Sequence, residues 1–397
     1  MLQSGLAEVA VRAQERDDSR MCRRLDSLYW MSLLSMAVSC SAGKEEQSQP
    51  AAAVTLPNSV TPRGAAVDHS PKPQVEQVVQ VPASVDVTRG MVWVPAGEAR
   101  LGSQESAPDA PMRTVRLTGF YIDAAEVTNR DFEAFTKATG YVTDAERRPT
   151  TEEIPGVPEE LLVAGSLVFT PPPNAVDLRE FWNWWSYVAG ANWRQPAGPG
   201  SSTFGREDHP VIHVSWRDAT AYAKWARKRL PTEAEWEFAA RGGLAEQRYV
   251  WGSEQKVKGR WPTNIWQGEF PSGNTQEDGF LTTSPVRAFD PNRLGIYGMS
   301  GNVWEWCQDW YHPNGYGDTS VVAVDPVGPE TSYDPDEPGA QKRVMRGGSY
   351  LCSDVYCLGY LPGTRMKSTP DTSLCHTGFR CVVSAESPQP IPAEAGK

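Results

Sequence analysis

Arg346-Gly347-Gly348-Ser349-Tyr350-Leu351-Cys352, with Cys357 five residues further on, reads as one short loop carrying two thiols. The gap is wrong for half of a zinc ribbon, which takes a two-residue spacing and a second such pair; the chain has no second pair. Two thiolates without a nearby His or carboxylate cluster suit a soft ion of low coordination number, Cu(I) first, with a third position left open. In an oxidising compartment the same spacing also suits a local disulfide. The rest of the chain bears on the choice.

The chain has 397 residues, enough for two average domains or for one large domain with tails. Thirteen of its 15 Trp fall between Trp182 and Trp310, so the core is expected to be built from aromatic plates and turns. A net charge of −11 leaves no basic stripe to neutralise phosphates and argues against nucleic acid as a partner.

Leu28 to Val38 (LYWMSLLSMAV) is a short apolar run behind Arg23-Arg24, too short to span a bilayer and right for the core of an export signal. Ser39-Cys40 follows, and the small residues there match a bacterial lipoprotein cleavage site, with Cys40 lipidated. Ala37 stands where Leu is usual, which keeps an ordinary secretory signal open. Met21 is a more natural start than Met1. Either signal places the mature protein outside the cytoplasm, periplasmic or as a membrane-anchored lipoprotein of a bacterium. The expected organisation is a signal over 1–40, a disordered Ser/Gln/Pro/Ala linker over 41–89, one folded domain over 90–385 and a disordered tail over 386–397.

Within that domain Met91 to Pro95 and Arg113 to Leu117 are strand-like. Thr128 is expected to cap a helix that buries Phe132 and Phe135 and stops at Gly140. A second helix is expected from Arg217 to Lys228, and a third from the capping box Thr232-Glu233-Ala234-Glu235 to Gly242-Gly243. With 33 Pro and 34 Gly, loops make up much of the remainder.

Taken together, 90–385 resembles the formylglycine-generating enzymes, or sulfatase-modifying factors. The segments that carry the likeness are Phe120-Tyr121-Ile122-Asp123, Glu126-Val127-Thr128-Asn129, Gly190-Ala191-Asn192-Trp193-Arg194 and His209 to Trp216. Further along they are Arg229 to Glu237, Asn264-Ile265-Trp266-Gln267-Gly268, Gly301-Asn302-Val303-Trp304-Glu305-Trp306, Thr369-Pro370-Asp371 and Gly378-Phe379-Arg380-Cys381. Several mark only the wider superfamily; the discriminating element is Gly347-Gly348-Ser349-Tyr350 with Cys352 and Cys357. The resemblance implies a single mixed α/β, loop-rich domain with little regular structure, distantly like C-type lectins.

It also implies an oxidase that takes an unfolded sulfatase segment, Cys-x-Pro-x-Arg or its Ala variant, and converts the Cys to Cα-formylglycine with O2. Cys352 and Cys357 would hold Cu(I), leaving its third place to the substrate thiolate, and Ser349 would hydrogen-bond near the copper. Tyr356 and Arg365 match positions lining the substrate pocket, and His376 stands where an Asn usually approaches it. For Tyr356 a packing role and for Arg365 a structural ion pair are equally open. Two structural Ca2+ sites are implied, one from Asn264, Ile265, Asp278 and Phe280, the other from Gly298, Gly301, Val303 and Glu305. Gly298 stands where the family often has Asn, so that ligand is either a backbone carbonyl or missing.

The chain departs from the pattern elsewhere. Ala223, Ala240 and Pro362 replace cysteines that form disulfides in vertebrate members, which leaves Cys381 to pair with Cys375 or Cys307. The usual Tyr-Arg-Tyr-Arg after the second copper cysteine is Leu358-Gly359-Tyr360-Leu361. Two rival readings stay open: a non-catalytic lectin-like binding module, and an iron-dependent sulfoxide-forming oxidase, which needs a three-histidine site that His69, His209, His213, His312 and His376 supply poorly.

Overall fold

The structure, a computed structural model, describes residues 86–103, 109–154, 156–243 and 247–385. The export signal with Cys40, the linker up to residue 85 and the tail from residue 386 lie outside the described residues. Among the described residues no helix is long and apolar enough to cross a membrane.

The strands in chain order are β1 (Met91–Val94), β2 (Gly97–Leu101), β3 (Arg113–Leu117), β4 (Phe120–Asp123), β5 (Gly165–Phe169), β6 (Trp185–Ala189), β7 (Gly268–Glu269), β8 (Gly273–Asn274), β9 (Trp304–Trp310), β10 (Ala323–Val324), β11 (Arg343–Arg346), β12 (Arg365–Ser368), β13 (Thr377–Gly378) and β14 (Val382–Ser384). Three helices stand among them: α1 (Asn129–Thr139), α2 (Trp216–Trp225) and α3 (Glu233–Arg241). Strands β1 and β14, from opposite ends of the body, both pair antiparallel with β4. That closure makes one mixed α/β domain. A second sheet runs β10-β3-β2, and the site-bearing sheet runs β12-β11-β9-β13, while β5-β6 and β7-β8 are hairpins.

The helices follow their local signals. Thr128, Ser215 and Thr232 each cap a helix with the side chain of the third residue, Asp131, Asp218 or Glu235, returning the bond. Gly140 and Gly242 end α1 and α3 in the left-handed conformation. Helix α2 differs from expectation: it starts at Trp216 and ends at Trp225, because the chain turns left-handed at Arg227 (φ 57°).

Loops this long need fixing from inside. Phe132 stacks on Tyr222 at 5.9 Å and meets Trp193 edge-on at 5.2 Å, locking α1, α2 and the 190s loop together. Buried ion pairs do the rest. Arg346, at the end of β11, binds Glu233 at 2.9 Å and Glu237 at 2.7 Å, both on α3. Removing either member would strand a buried charge at a cost of about 3–5 kcal/mol. This pair holds the root of the loop that begins at Gly347.

Candidate active site

Gly347 (φ 96°) and Gly348 (φ 73°) let that loop leave β11 where no other residue fits. A Cβ at 348 would stand 2.5 Å from the Tyr360 backbone nitrogen, and one at 347 would stand 2.9 Å from the Trp236 ring. The chain then turns so that Cys352 N–H donates to the Ser349 carbonyl (2.9 Å) and Cys357 N–H to the Ser353 carbonyl (2.9 Å). These turns bring Cys352 Sγ and Cys357 Sγ to 2.9 Å, at hydrogen-bonding distance and not joined as a disulfide.

Both thiols are buried, at 1% and 5% exposure, among Trp304, Trp306, Tyr360 and Leu361. Burial works to raise the Cys352 thiol. Hydrogen bonding with Cys357, the Ser349 N–H (3.4 Å) and hydroxyl, and the Gly359 backbone outweighs it and leaves Cys352 below the ordinary thiol value. The donor set therefore suits a soft ion that binds thiolates. Among the described residues no three His, Cys, Asp or Glu gather as a metal centre. The histidines have other partners: His209 faces Thr283, His213 is held by Ser166 and the Pro196 carbonyl, His312 accepts the Asn314 N–H, and His376 lies on Trp185. The three-histidine arrangement of an iron enzyme is not formed among the described residues.

Ser349 is fully buried, and its hydroxyl accepts the Leu351 N–H at 3.2 Å, which fixes it beside the thiols. Tyr356 stacks on Phe270 at 4.3 Å and meets Trp184 edge-on at 5.7 Å, making an apolar wall one residue from Cys357. His376 lies 5.0 Å from the Trp185 ring. Burial, then the nearby His213, pushes its pKa down to about 3, so it is neutral, and its Nδ1 is buried without a hydrogen-bond partner.

Of the two readings open for Arg365, the ion pair is formed. Its Nε and Nη2 donate to the two Glu233 oxygens at 2.7 and 3.0 Å, and its Nη1 to the carbonyls of Asp109 and His312. Its guanidinium also lies against the rings of Tyr311 and Tyr316. It is the structural ion pair, with its donors turned to the protein interior. No disulfide joins Cys307, Cys375 or Cys381, and all three are buried. Cys381 directly precedes β14 beside Asp123, Cys307 lies on β9, and Cys375 sits against Tyr350 and Phe169.

Of the first calcium set, Ile265 and Asp278 lie together, while the Asn264 amide donates to the Thr282 carbonyl at 2.9 Å. Asp278 Oδ2 and the Ile265 carbonyl both accept from the Gln267 side-chain amide, and Asp278 also accepts from the N–H groups of Ile265 and Phe280. An amide donor thus bridges two of the oxygens assigned to a cation, the contact a hard ion could replace. In the second set, Glu305 is committed to Arg380 (2.7 Å from both Nε and Nη2) and to Trp236 Nε1 (2.8 Å).

Sequence reasoning missed a cleft bordered by Asp144, Arg147, Glu153, Ser166, Tyr187 and Asp371. Its floor, Leu167, accepts the Cys375 N–H, and Cys375 in turn receives the Tyr350 hydroxyl, two residues before Cys352. No local motif marks it, since its walls come from four separate segments.

Residues 76–385 match the family model described as the sulfatase-modifying factor enzyme 1-like domain. The chain is 49% identical over 304 residues to the formylglycine-generating enzyme of Streptomyces coelicolor, covering 75% of this chain and 90% of the relative. It is 48% identical over 309 residues to the enzyme of that name from Thermomonospora curvata, covering 75% and 94%. It is also 38% identical over 307 residues to the Mus musculus protein named inactive C-alpha-formylglycine-generating enzyme 2, covering 75% and 87%. The chain belongs to the formylglycine-generating enzyme family of sulfatase-modifying factors.

Proposed function

We propose that this protein oxidises the Cys of a Cys-x-Pro-x-Arg or Cys-x-Ala-x-Arg segment in an unfolded sulfatase to Cα-formylglycine, with O2 as acceptor and Cu(I) held by Cys352 and Cys357. The observation that carries the reading is the buried thiol pair, 2.9 Å apart and not joined as a disulfide. When bound, Cu(I) supplies the one-electron chemistry that O2 requires. Turning a CH2–SH carbon into an aldehyde with release of sulfide removes two electrons, while O2 takes four on its way to water. Each turnover therefore also consumes two external thiol groups, whose oxidation to one disulfide supplies the other two electrons.

The chain's own residues orient and exclude water. The Ser349 N–H steadies the Cys352 sulfur, and Tyr356 with Trp184 and Phe270 presents a dry face to the peptide. The cleft carries Asp144, Glu153 and Asp371 against Arg147, a balance that suits the Arg of the segment. Ca2+ at Asn264, Ile265, Asp278 and Phe280 would pin a loop. Export, with a lipid anchor at Cys40, would bring the enzyme to sulfatases emerging unfolded at the membrane.

The test is to incubate reduced, Cu(I)-loaded protein with a short Cys-x-Pro-x-Arg peptide in air, with dithiothreitol as reductant, and weigh the product. Conversion to the aldehyde, lost in Cys352→Ser and Cys357→Ser, supports the oxidase. Tight Cu(I) binding without conversion points to an altered substrate, with Leu358, Gly359, Leu361 and His376 the first positions to revert. Failure of both leaves the tethered binding module.

A further inference from the structure

The loop between the two thiols is fastened by one exposed carboxylate. Cys352 is set by its surroundings: the Trp266 N–H donates to its carbonyl at 2.8 Å, and the Gly359 backbone packs beside its sulfur. Cys357 follows the turn from Ser353 to Tyr356, so its position depends on how that turn is held. Asp354, exposed within the turn, accepts the Tyr360 hydroxyl on Oδ1 and the Gln255 side-chain amide on Oδ2.

Both partners are themselves fixed. Tyr360 is buried, its carbonyl accepts the Ser300 hydroxyl at 2.8 Å, and its ring stacks on Tyr249 at 6.1 Å, 9° from parallel. Tyr249 stacks in turn on Trp251 at 5.0 Å. The Trp251 indole N–H donates at 2.7 Å to the carbonyl of Glu254, the residue before Gln255. Three rings thus brace the 249–255 loop, and both ends of the brace meet on Asp354, which lies 99 positions from Gln255 in the chain.

Hydrogen bonds to an exposed carboxylate contribute little to global stability. Here they remove freedom from a short loop whose two sulfurs must meet on one atom. Donors already held in place bind a soft ion without the entropy loss of gathering them.

We propose that Asp354 is a positioning residue of the thiol site: through Tyr360 and Gln255 it holds the turn that presents Cys357 to Cys352, and so sets how tightly the pair binds a soft ion. For copper this rests on the oxidase reading, whereas the placement of the two sulfurs does not.

Two equilibria are measured on the reduced protein without oxygen. One is Cu(I) affinity, by competition with bicinchoninate. The other is capture of phenylarsine oxide, which condenses with two thiols at once, forming two As–S bonds and releasing one water. Cys352→Ser serves as the blank for the remaining cysteines. Asp354→Ala and Tyr360→Phe, the latter keeping the ring stack, are expected to weaken both by about tenfold with little change in melting temperature. Asp354→Asn, which retains an oxygen for the Tyr360 hydroxyl, is expected to restore most of the loss. Wild-type affinities in Asp354→Ala and Tyr360→Phe would overturn the proposal. So would a loss that comes only with a large fall in melting temperature, and Tyr360→Phe decides the case should Asp354→Ala fail to fold. Wild type that captures the arsenical but not Cu(I) would refute the oxidase reading alone, and the arsenical series would still decide the role of Asp354.

Discussion

Gly359 lies flat on Trp304. A Cβ at 359 would stand 2.3 Å from the indole's Cζ2 and 3.0 Å from Cys352 Sγ. Trp304 has little room to retreat: its side chain is buried, and its backbone N–H donates to the His376 carbonyl at 2.9 Å. The absent side chain therefore sets where one thiol sits. Gly359→Ala is expected to destabilise the fold by about 1–3 kcal/mol through overpacking. It should also weaken Cu(I) binding by displacing Cys352. Thermal unfolding and a competitive Cu(I) titration check both; an unchanged Cu(I) affinity would show that the packing does not place the thiol.

Arg365 separates stability from substrate binding. With its charge paired to Glu233 in the interior, Arg365→Ala is expected to cost about 3–5 kcal/mol in chemical denaturation. The folded fraction should keep its KM for peptide. A raised KM with unchanged stability would return Arg365 to the substrate pocket.

Asp218 governs a pH response. Burial, then the neighbouring Asp144, pushes its pKa up to about 8 from an ordinary 3.8. The folded state therefore holds a proton that the unfolded state releases, and stability falls as pH rises from about 4 toward 8. Asp309, raised to about 7 by burial and then by Glu233, acts in the same direction. Asp218→Asn should flatten this slope in melting curves taken between those limits, even if its lost cap lowers the whole curve.

In the cleft, Asp371→Asn and Glu153→Gln are expected to raise KM severalfold for a Cys-x-Pro-x-Arg peptide. The same variants should leave a peptide with Ala in place of that Arg nearly unaffected. Equal losses on the two peptides would remove the cleft from substrate recognition.

His376 stays neutral through the working range, since burial holds its pKa near 3. His376→Asn should therefore shift KM and leave the pH profile of turnover unmoved. A shifted pH optimum would mean that the imidazole titrates during the reaction.

What the sequence determined by itself was short-range. The caps at Thr128 and Thr232, the stops at Gly140 and Gly242, strand β3 and the thiol pair were readable because each depends on residues within a few positions. The family motifs added the fold as a whole. Where a long-range contact decides, local pattern is silent. Arg365 meets Glu233 across 132 positions and Asn302 meets Glu126 across 176. Arg365 could be read equally as a pocket residue or an ion pair, until packing placed it against Glu233. The cleft, the free state of Cys381 and the crowding of Glu126 against Gly298 are likewise products of tertiary structure. The physical reason is that a buried charge or thiol takes its role from whichever partner the folded interior brings within bonding distance.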